Sequence, residues 1–323
     1  MNSRVELSPP RTKRLNSKTM LWILVLLAVA IASVATINFR WHERLYFYLV
    51  STQNAPAWVG KSIWLPDYKV YLDEKPIQGI GNDLSGLTYD YDKDRLLAIT
   101  NAAPMQVVSL SKSGEVIDQY PLVGFEDTEG IAYMGNGLVA IVDERIQQLC
   151  FLRLPETPGP IDKKDAKFIS LGINLGPPNK GFEGITYDTK NDRLFVAKER
   201  GPRQLYEITG VRKSLEGNLQ INIRDLTSWV NANFFATDIS DIHFAPKTGH
   251  ILILSQESKL LIELSEEGEM VSSRTFLSGF SDVKKSIFEA EGVTLDNDGN
   301  LYIASEPNLL YAFHKNGEKP VLR

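Results

Sequence analysis

The chain has 323 residues, enough for one large domain or two ordinary ones, and its 43% hydrophobic content supports a sizeable core and argues against disorder. One cysteine, Cys150, excludes an internal disulfide and any cysteine-based zinc cluster, and the four histidines (His42, His243, His250, His314) lack metal-ligand spacing. The net charge of −5 is unevenly divided: residues 1–39 hold Arg4, Arg11, Lys13, Arg14 and Lys18 against Glu6, so the rest stands at −9, without the basic stripe that a nucleic-acid partner requires.

Residues 1–18 form a basic tail, and no charged residue follows between Thr19 and Phe39. A helix over that run spans about 30 Å, the hydrocarbon thickness of a bilayer. By the positive-inside rule the tail stays cytoplasmic, which predicts a single-pass signal anchor over 19–39 and an exported body. In a Gram-negative cell that means the inner membrane, with the body in the periplasm. The alternative is a cleaved signal peptide, since Ser33-Val34-Ala35 offers small residues at the cleavage positions and a mature start at Thr36. Residues 40–65 read as a membrane-proximal connector whose Trp41, Tyr46, Phe47, Tyr48, Trp58 and Trp64 suit either an interfacial aromatic belt or packing against the folded body.

From residue 66 to 323 short apolar runs alternate with turn residues, the pattern of an all-β domain. Asp127-Thr128-Glu129-Gly130-Ile131-Ala132-Tyr133 recurs as Phe182–Asp188 and Ala290–Asp296, with weaker copies at Leu84–Asp90 and Ile239–Phe244. Each copy leads through a polar hairpin turn into a near-continuous apolar strand and then a third strand. The marker position (Gly86, Gly130, Gly184, Asp241, Gly292) steps by 44, 54, 57 and 51 residues, with insertions at Pro155–Pro160 and Pro177–Lys180. Four-stranded units at this period predict a five-bladed β-propeller. The chain ends soon after the turn Asn316-Gly317-Glu318, which leaves the last blade short, and Tyr68–Leu72 is expected to complete it. A sixth, degenerate blade from residues 41–80 is the alternative.

The stretches Asn82–Asp90, Phe125–Ile131 and Gly181–Tyr187, together with the N-terminal apolar run, resemble the SdiA-regulated domain family over about residues 65–323. The resemblance implies an exported, membrane-anchored propeller, similar to phytase-like and lactonase-like ones, in a cell-density context. It implies no activity.

Inner strands line a propeller's channel, so equivalent positions form rings. Before the glycine the ring reads Ser85, Glu129, Glu183, Ser240, Glu291. Glu129, Glu183 and Glu291 converging on a narrow channel would repel one another unless a cation neutralised them, and oxygen-only ligands favour Ca²⁺ or Mg²⁺. The alternative is that each glutamate accepts backbone N–H bonds from the next blade and locks the ring. A second ring reads Asn101, Asp143, Glu199, Gln256, Glu306, with Arg145, Lys198 and Arg200 beside it as candidate clamps for an anionic ligand group, or as members of a solvated ion-pair cluster.

Asp296–Asn300 falls where the other copies have a hairpin and is expected to be a turn rather than a calcium loop. His243, aligned with Thr88, Ala132, Thr186 and Thr294, is expected to be a packed or hydrogen-bonded histidine, and Cys150 an inert buried thiol. No nucleophile elbow, Walker loop or Cys-x-x-Cys is present. Two functions therefore remain open. One is a membrane-anchored module that binds a small ligand or a protein. The other is a Ca- or Mg-dependent hydrolase of an ester, lactone or phosphoester, with Glu129, Glu183 and Glu291 on the ion and Asp143 or Glu199 as general base.

Overall fold

Five antiparallel sheets, each opening on one copy of the recurring phrase, account for the repeat in a computed structural model that describes residues 16–38, 40–81, 83–172, 181–232 and 236–315. The start of the basic tail, the Pro177–Lys180 insertion and the terminal turn Asn316–Glu318 lie outside those residues.

The N-terminal helix Ser17–Asn38 is long and apolar enough to cross a membrane. Its two hydroxyl residues after the first turn are satisfied inside it: Ser33 donates to the Val29 carbonyl and Thr36 to the Ala32 carbonyl, both at 2.8 Å. A bilayer-spanning helix has to satisfy its polar groups internally in this way.

The described residues from Tyr46 onward fall in one compact unit, which contains the propeller. The inner strands of blades 1 to 5 are Leu84–Asp90, Thr128–Gly135, Phe182–Asp188, Asp241–Ala245 and Ala290–Leu295. Each pairs with the strand that follows it, and the sheets have four strands; in blade 1 a fifth, Ile161–Asp162, is added in parallel by the Pro-rich insertion. Blade 5 is completed by Tyr68–Pro76, which pairs antiparallel with Leu309–Lys315, so the N-terminal segment closes the ring as expected. The six-blade alternative fails for the same reason: most of residues 41–80 is spent on the helix Trp41–Trp58 and on this closing strand.

The apolar second strands are explained by their neighbours. In blade 1 Leu97 and Ile99 pack with Ile131 and Ile141 of blade 2, while Leu96 and Ala98 pack with Tyr302 and Ala304 of blade 5. Alternate side chains of a strand face opposite sides, so a strand sandwiched between two blades is apolar at every position. Five such clusters lie between successive blades.

The marker glycine is a contact device. A Cβ at Gly86 would stand 2.7 Å from the Glu129 carbonyl oxygen, one at Gly130 would drive into the Glu183 carbonyl oxygen, and one at Gly292 would stand 2.7 Å from the Leu87 nitrogen. In four of the five blades the inner strand thus meets a neighbour backbone to backbone at a glycine, where a side chain would not fit. Blade 4 has Asp241 at this position, and its carboxylate accepts the Val293 N–H of blade 5 at 2.8 Å instead.

The connector packs against blade 4. Phe47 is buried beside Phe244 and Leu264, and Asn54 donates to the Met270 carbonyl at 2.6 Å. Buried Glu263 accepts the Ile63 and Trp64 N–H groups at 2.9 and 3.1 Å and the Ser272 hydroxyl at 2.6 Å, and stands 2.7 Å from His250 Nδ1. Of the connector aromatics, Phe47 and Trp64 are buried, whereas Trp41, Tyr46 and Tyr48 are exposed.

Candidate functional site

The inner strands begin at one end of the channel and finish at the other, and the two ends differ in chemistry. At the first end the strand ladders are irregular where the glutamates sit. Register shifts fall between Thr128 and Ile131, Phe182 and Ile185, and Ala290 and Gly292. A bulge leaves a residue out of the ladder and re-aims its side chain. Among the described residues no backbone N–H from a neighbouring blade bonds to Glu129, Glu183 or Glu291; the cross-blade donor to Glu129 is the Asn101 side chain.

The three carboxyls lie within each other's electrostatic reach. Burial pushes Glu129 up to about 9, with Glu144, Asp127 and Glu291 adding to the shift. Burial likewise raises Glu291 to about 8, reinforced by Glu306 and Asp238. Glu183 is held well above the usual carboxylate range by burial and then by Glu199, Glu129 and Glu291. Desolvation and like charge both disfavour ionisation, and here they act together.

The tightest acidic group is Asp127, Glu129 and Glu144, which can each present one oxygen within 4.8 Å of the others. Glu129 is its one member from the anticipated trio; Glu183 and Glu291 stand outside it. Asp127 lies two residues before Glu129 and so on the same side of an extended chain, a signal visible in Asp127-Thr128-Glu129. Glu144 arrives by hairpin register, because its N–H bonds the Asp127 carbonyl at 2.8 Å. Asn101 of blade 1 donates to Glu129 Oε1 at 2.6 Å, while Glu144 accepts the Gly181 N–H at 2.7 Å. Burial raises the Glu144 carboxyl, and both the Gly181 N–H and the charge of Lys198 oppose that shift.

The second ring is not one surface. Asp143 is fully buried in an ion pair with Lys163, a residue of the insertion that returns to blade 1. Glu199 shares a hydrogen bond with Glu183, and burial raises it against the pull of Arg200. Arg200 is 2.6 Å from Glu199 and 2.7 Å from Glu257, and Arg145 is 3.5 Å from Asp127. Lys198 is buried, 1% exposed, with its charge acting on Glu144. The three cations therefore sit among carboxylates.

At the other end all five inner strands contribute to a cavity of about 620 Å³, through Thr88 and Tyr89, Tyr133, Thr186 and Tyr187, His243, and Thr294. Here hydroxyls join the blades: Tyr133 N–H donates to Thr88 Oγ1 at 3.1 Å and Phe244 N–H to Thr186 Oγ1 at 2.9 Å. Burial depresses His243 to about 3, so it is neutral; its Nδ1 lies 3.3 Å from Thr294 Oγ1, and its Nε2 is buried without a partner. The histidine is thus bonded to a neighbouring blade on one nitrogen only. Asp296–Asn300 is a hairpin turn, with Asp298 and Asn300 N–H groups on Asp296 Oδ1 at 3.0 and 2.8 Å. Cys150 is buried and its thiol is pushed up to about 11, consistent with an inert side chain.

The family model described as SdiA-regulated matches residues 60–314, and the chain belongs to that family. Among solved structures, the chain is similar to a luciferin-regenerating enzyme at 11% identity and TM-score 0.49, over 77% of this chain and 96% of that one. It is similar to virginiamycin B lyase from Staphylococcus aureus at 15% identity and TM-score 0.41, over 74% and 68%, and to a gluconolactonase from Xanthomonas campestris at 11% and 0.43, over 71% and 70%. Likenesses this distant bring no activity to the chain.

Proposed function

We propose that this member of the SdiA-regulated family is a membrane-anchored, extracytoplasmic binding propeller whose acidic channel end takes up a divalent cation, Ca²⁺ or Mg²⁺. The observation that carries the reading is the Asp127, Glu129 and Glu144 group, three oxygen donors within 4.8 Å of one another. Glu183 and Glu291 are further carboxyls within electrostatic reach of Glu129. Such a set is either proton-loaded or cation-loaded, because bare carboxylates at that density repel. Hard oxygen donors without imidazole or thiolate suit a hard cation. In this reading Glu183 and Glu291 set the field, and Arg145 and Arg200 close the rim around a bound ion or an anionic ligand group.

Calcium and magnesium titrations of the full chain in detergent, followed by calorimetry, test the metal. Saturable binding that Glu129→Gln and Glu144→Gln abolish is expected, and no heat with either ion sinks it. For the anchor, Ser17–Asn38 with the basic tail before it supports a cytoplasmic N-terminus. Reporter fusions after residue 323 should be active only outside the cytoplasm, and the mature chain should retain residues before Thr36.

The hydrolase reading has one observation of its own in favour. Glu183 and Glu199 share a hydrogen bond next to the acidic group, so one of the pair holds a proton beside a candidate ion site, the state a general acid requires. Asp143, enclosed with Lys163, is unavailable for that role. Calcium-dependent turnover of an ester, lactone or phosphoester that Glu199→Gln removes without loss of calcium binding would decide for this reading.

A further inference from the structure

The cavity at the hydroxyl end plays no part in that function. Three of its tyrosines are clamped by hairpin turns: Tyr89 donates to Asp94 and Tyr187 to Asp192 at 2.7 Å in the turns that follow them, and Tyr133 to Asp92 at 2.6 Å in the turn of blade 1. Two of these hydroxyls also accept, Tyr133 from the Gly137 N–H at 2.9 Å and Tyr187 from Arg212 Nε at 2.7 Å. The phenol oxygens are therefore committed, and the rings remain as fixed aromatic walls.

The charged side chains around the cavity balance and are occupied. Lys247 donates to the Asn297 carbonyl at 2.6 Å and Lys315 to the Ser62 carbonyl at 3.4 Å. Asp296 is taken up by its own turn and by the Tyr302 hydroxyl, and Asp298 lies 3.7 Å from Lys112. What is left is uncharged: His243 Nε2, buried and unpartnered, and the hydroxyls of Thr88, Thr186 and Thr294, of which the first two accept one backbone N–H each. Depending on the tautomer, that nitrogen offers one donor or one acceptor, and a hydroxyl partner satisfies either. A buried ring nitrogen without a partner carries a free-energy cost that a bound polar group removes.

We propose that this cavity binds a neutral sugar, one or two pyranose rings, with C–H faces against the tyrosine walls and hydroxyls on His243 Nε2 and the threonines. The cavity volume falls in the range of small-molecule sites. Aromatic faces with a few fixed polar groups match a ligand that has apolar faces and a polar perimeter. An ion would find no unpaired charge here, and a hydrocarbon would leave the nitrogen and hydroxyls unsatisfied.

The test uses the full chain in a zwitterionic detergent that carries no sugar headgroup. Saturation-transfer NMR and calorimetry with glucose, galactose, N-acetylglucosamine and maltose should find at least one that saturates below about 1 mM. His243→Phe and Thr294→Val should each weaken it about tenfold or more, whereas Glu129→Gln should not. On the wild-type chain, which removes any question of misfolded variants, a diazirine-bearing version of the bound sugar should cross-link to peptides containing Tyr187 or His243. The proposal is overturned if none of the four saturates, if glucose 6-phosphate binds more tightly than glucose, or if cross-links map to the acidic end. Metal binding at Glu129 is read in a separate titration, so the two sites fail or hold independently.

Discussion

The two ends of the channel join neighbouring blades differently. At the acidic end the strands meet through glycine, backbone against backbone, and side-chain donors add to that joint, Asn101 to Glu129, Thr128 to the Thr100 carbonyl and Ser240 to the Ala290 carbonyl. At the hydroxyl end, threonine side chains accept the next blade's N–H groups and so become part of the joint themselves. A joint made by backbone leaves its side chains available for chemistry. Before the glycines of blades 2, 3 and 5 those side chains are carboxyls that burial keeps from ionising, whereas the equivalent groups facing the other end are threonines and a neutral histidine.

The largest effect should come from adding one carbon to the backbone joint. Gly130→Ala places a Cβ against the Glu183 carbonyl oxygen, and backbone cannot move aside as a side chain would. A loss of more than about 4 kcal/mol is expected in denaturant melts, or no folded protein at all. A loss below about 1 kcal/mol would mean that the blades are not joined here.

Next in size is the buried ion pair that separates structural from available carboxylates at the acidic end. Lys163→Met leaves Asp143, fully buried, without its cation. Breaking a buried pair from one side costs about 3–5 kcal/mol. Chemical denaturation should show that loss, and calcium should not restore it, because Asp143 is not among the oxygens around Glu129.

The propeller, its five blades and the ring closure were legible because glycine, turn and apolar strand recur together, and each has one physical meaning. The shared repeat position of Glu129, Glu183 and Glu291 was legible, although only Glu129 joins the tightest acidic group. Asp127 and Glu144 were harder. Asp127 needs the two-residue strand period, and Glu144 needs a hairpin register that a bulge displaces. Lys163 reaching Asp143 was not legible, since an insertion's return path leaves no periodic mark. The hydroxyl-end cavity was half visible: Thr88, Thr186, His243 and Thr294 share a repeat position. The clamps that turn the tyrosines into walls depend on side-chain geometry across each turn.

A smaller effect, opposite in sign to the first two, should follow from pH. Glu129 and Glu291 titrate near 9 and near 8 in the folded chain, well above the value of about 4.3 expected unfolded. Between those values the folded state binds more protons than the unfolded one, so stability falls as pH rises. In chelator, melting temperature should therefore drop from about pH 5 to about pH 9, and calcium should flatten the slope if the site is real. Glu129→Gln should raise the melting temperature at the alkaline end, since it removes a charge that has no counterpart. If Glu129→Gln lowers stability at every pH, the carboxyl is a structural acceptor after all.

The smallest effect belongs to the hydroxyl joint. Thr88→Val keeps the branched shape and removes the acceptor of the Tyr133 N–H, leaving that donor unpaired at a site lined by a cavity rather than packed solid. The cost should be about 1 kcal/mol, at the lower end of what an unsatisfied buried donor exacts, because water entering the cavity can take the acceptor's place. That ordering is the sharpest check on the comparison. If Thr88→Val costs as much as Gly130→Ala, the two ends are joined with equal strength and the difference between them is only in charge. If it costs nothing, the blades at this end are held by the hydrophobic clusters alone, and the threonine hydroxyls are free for a ligand.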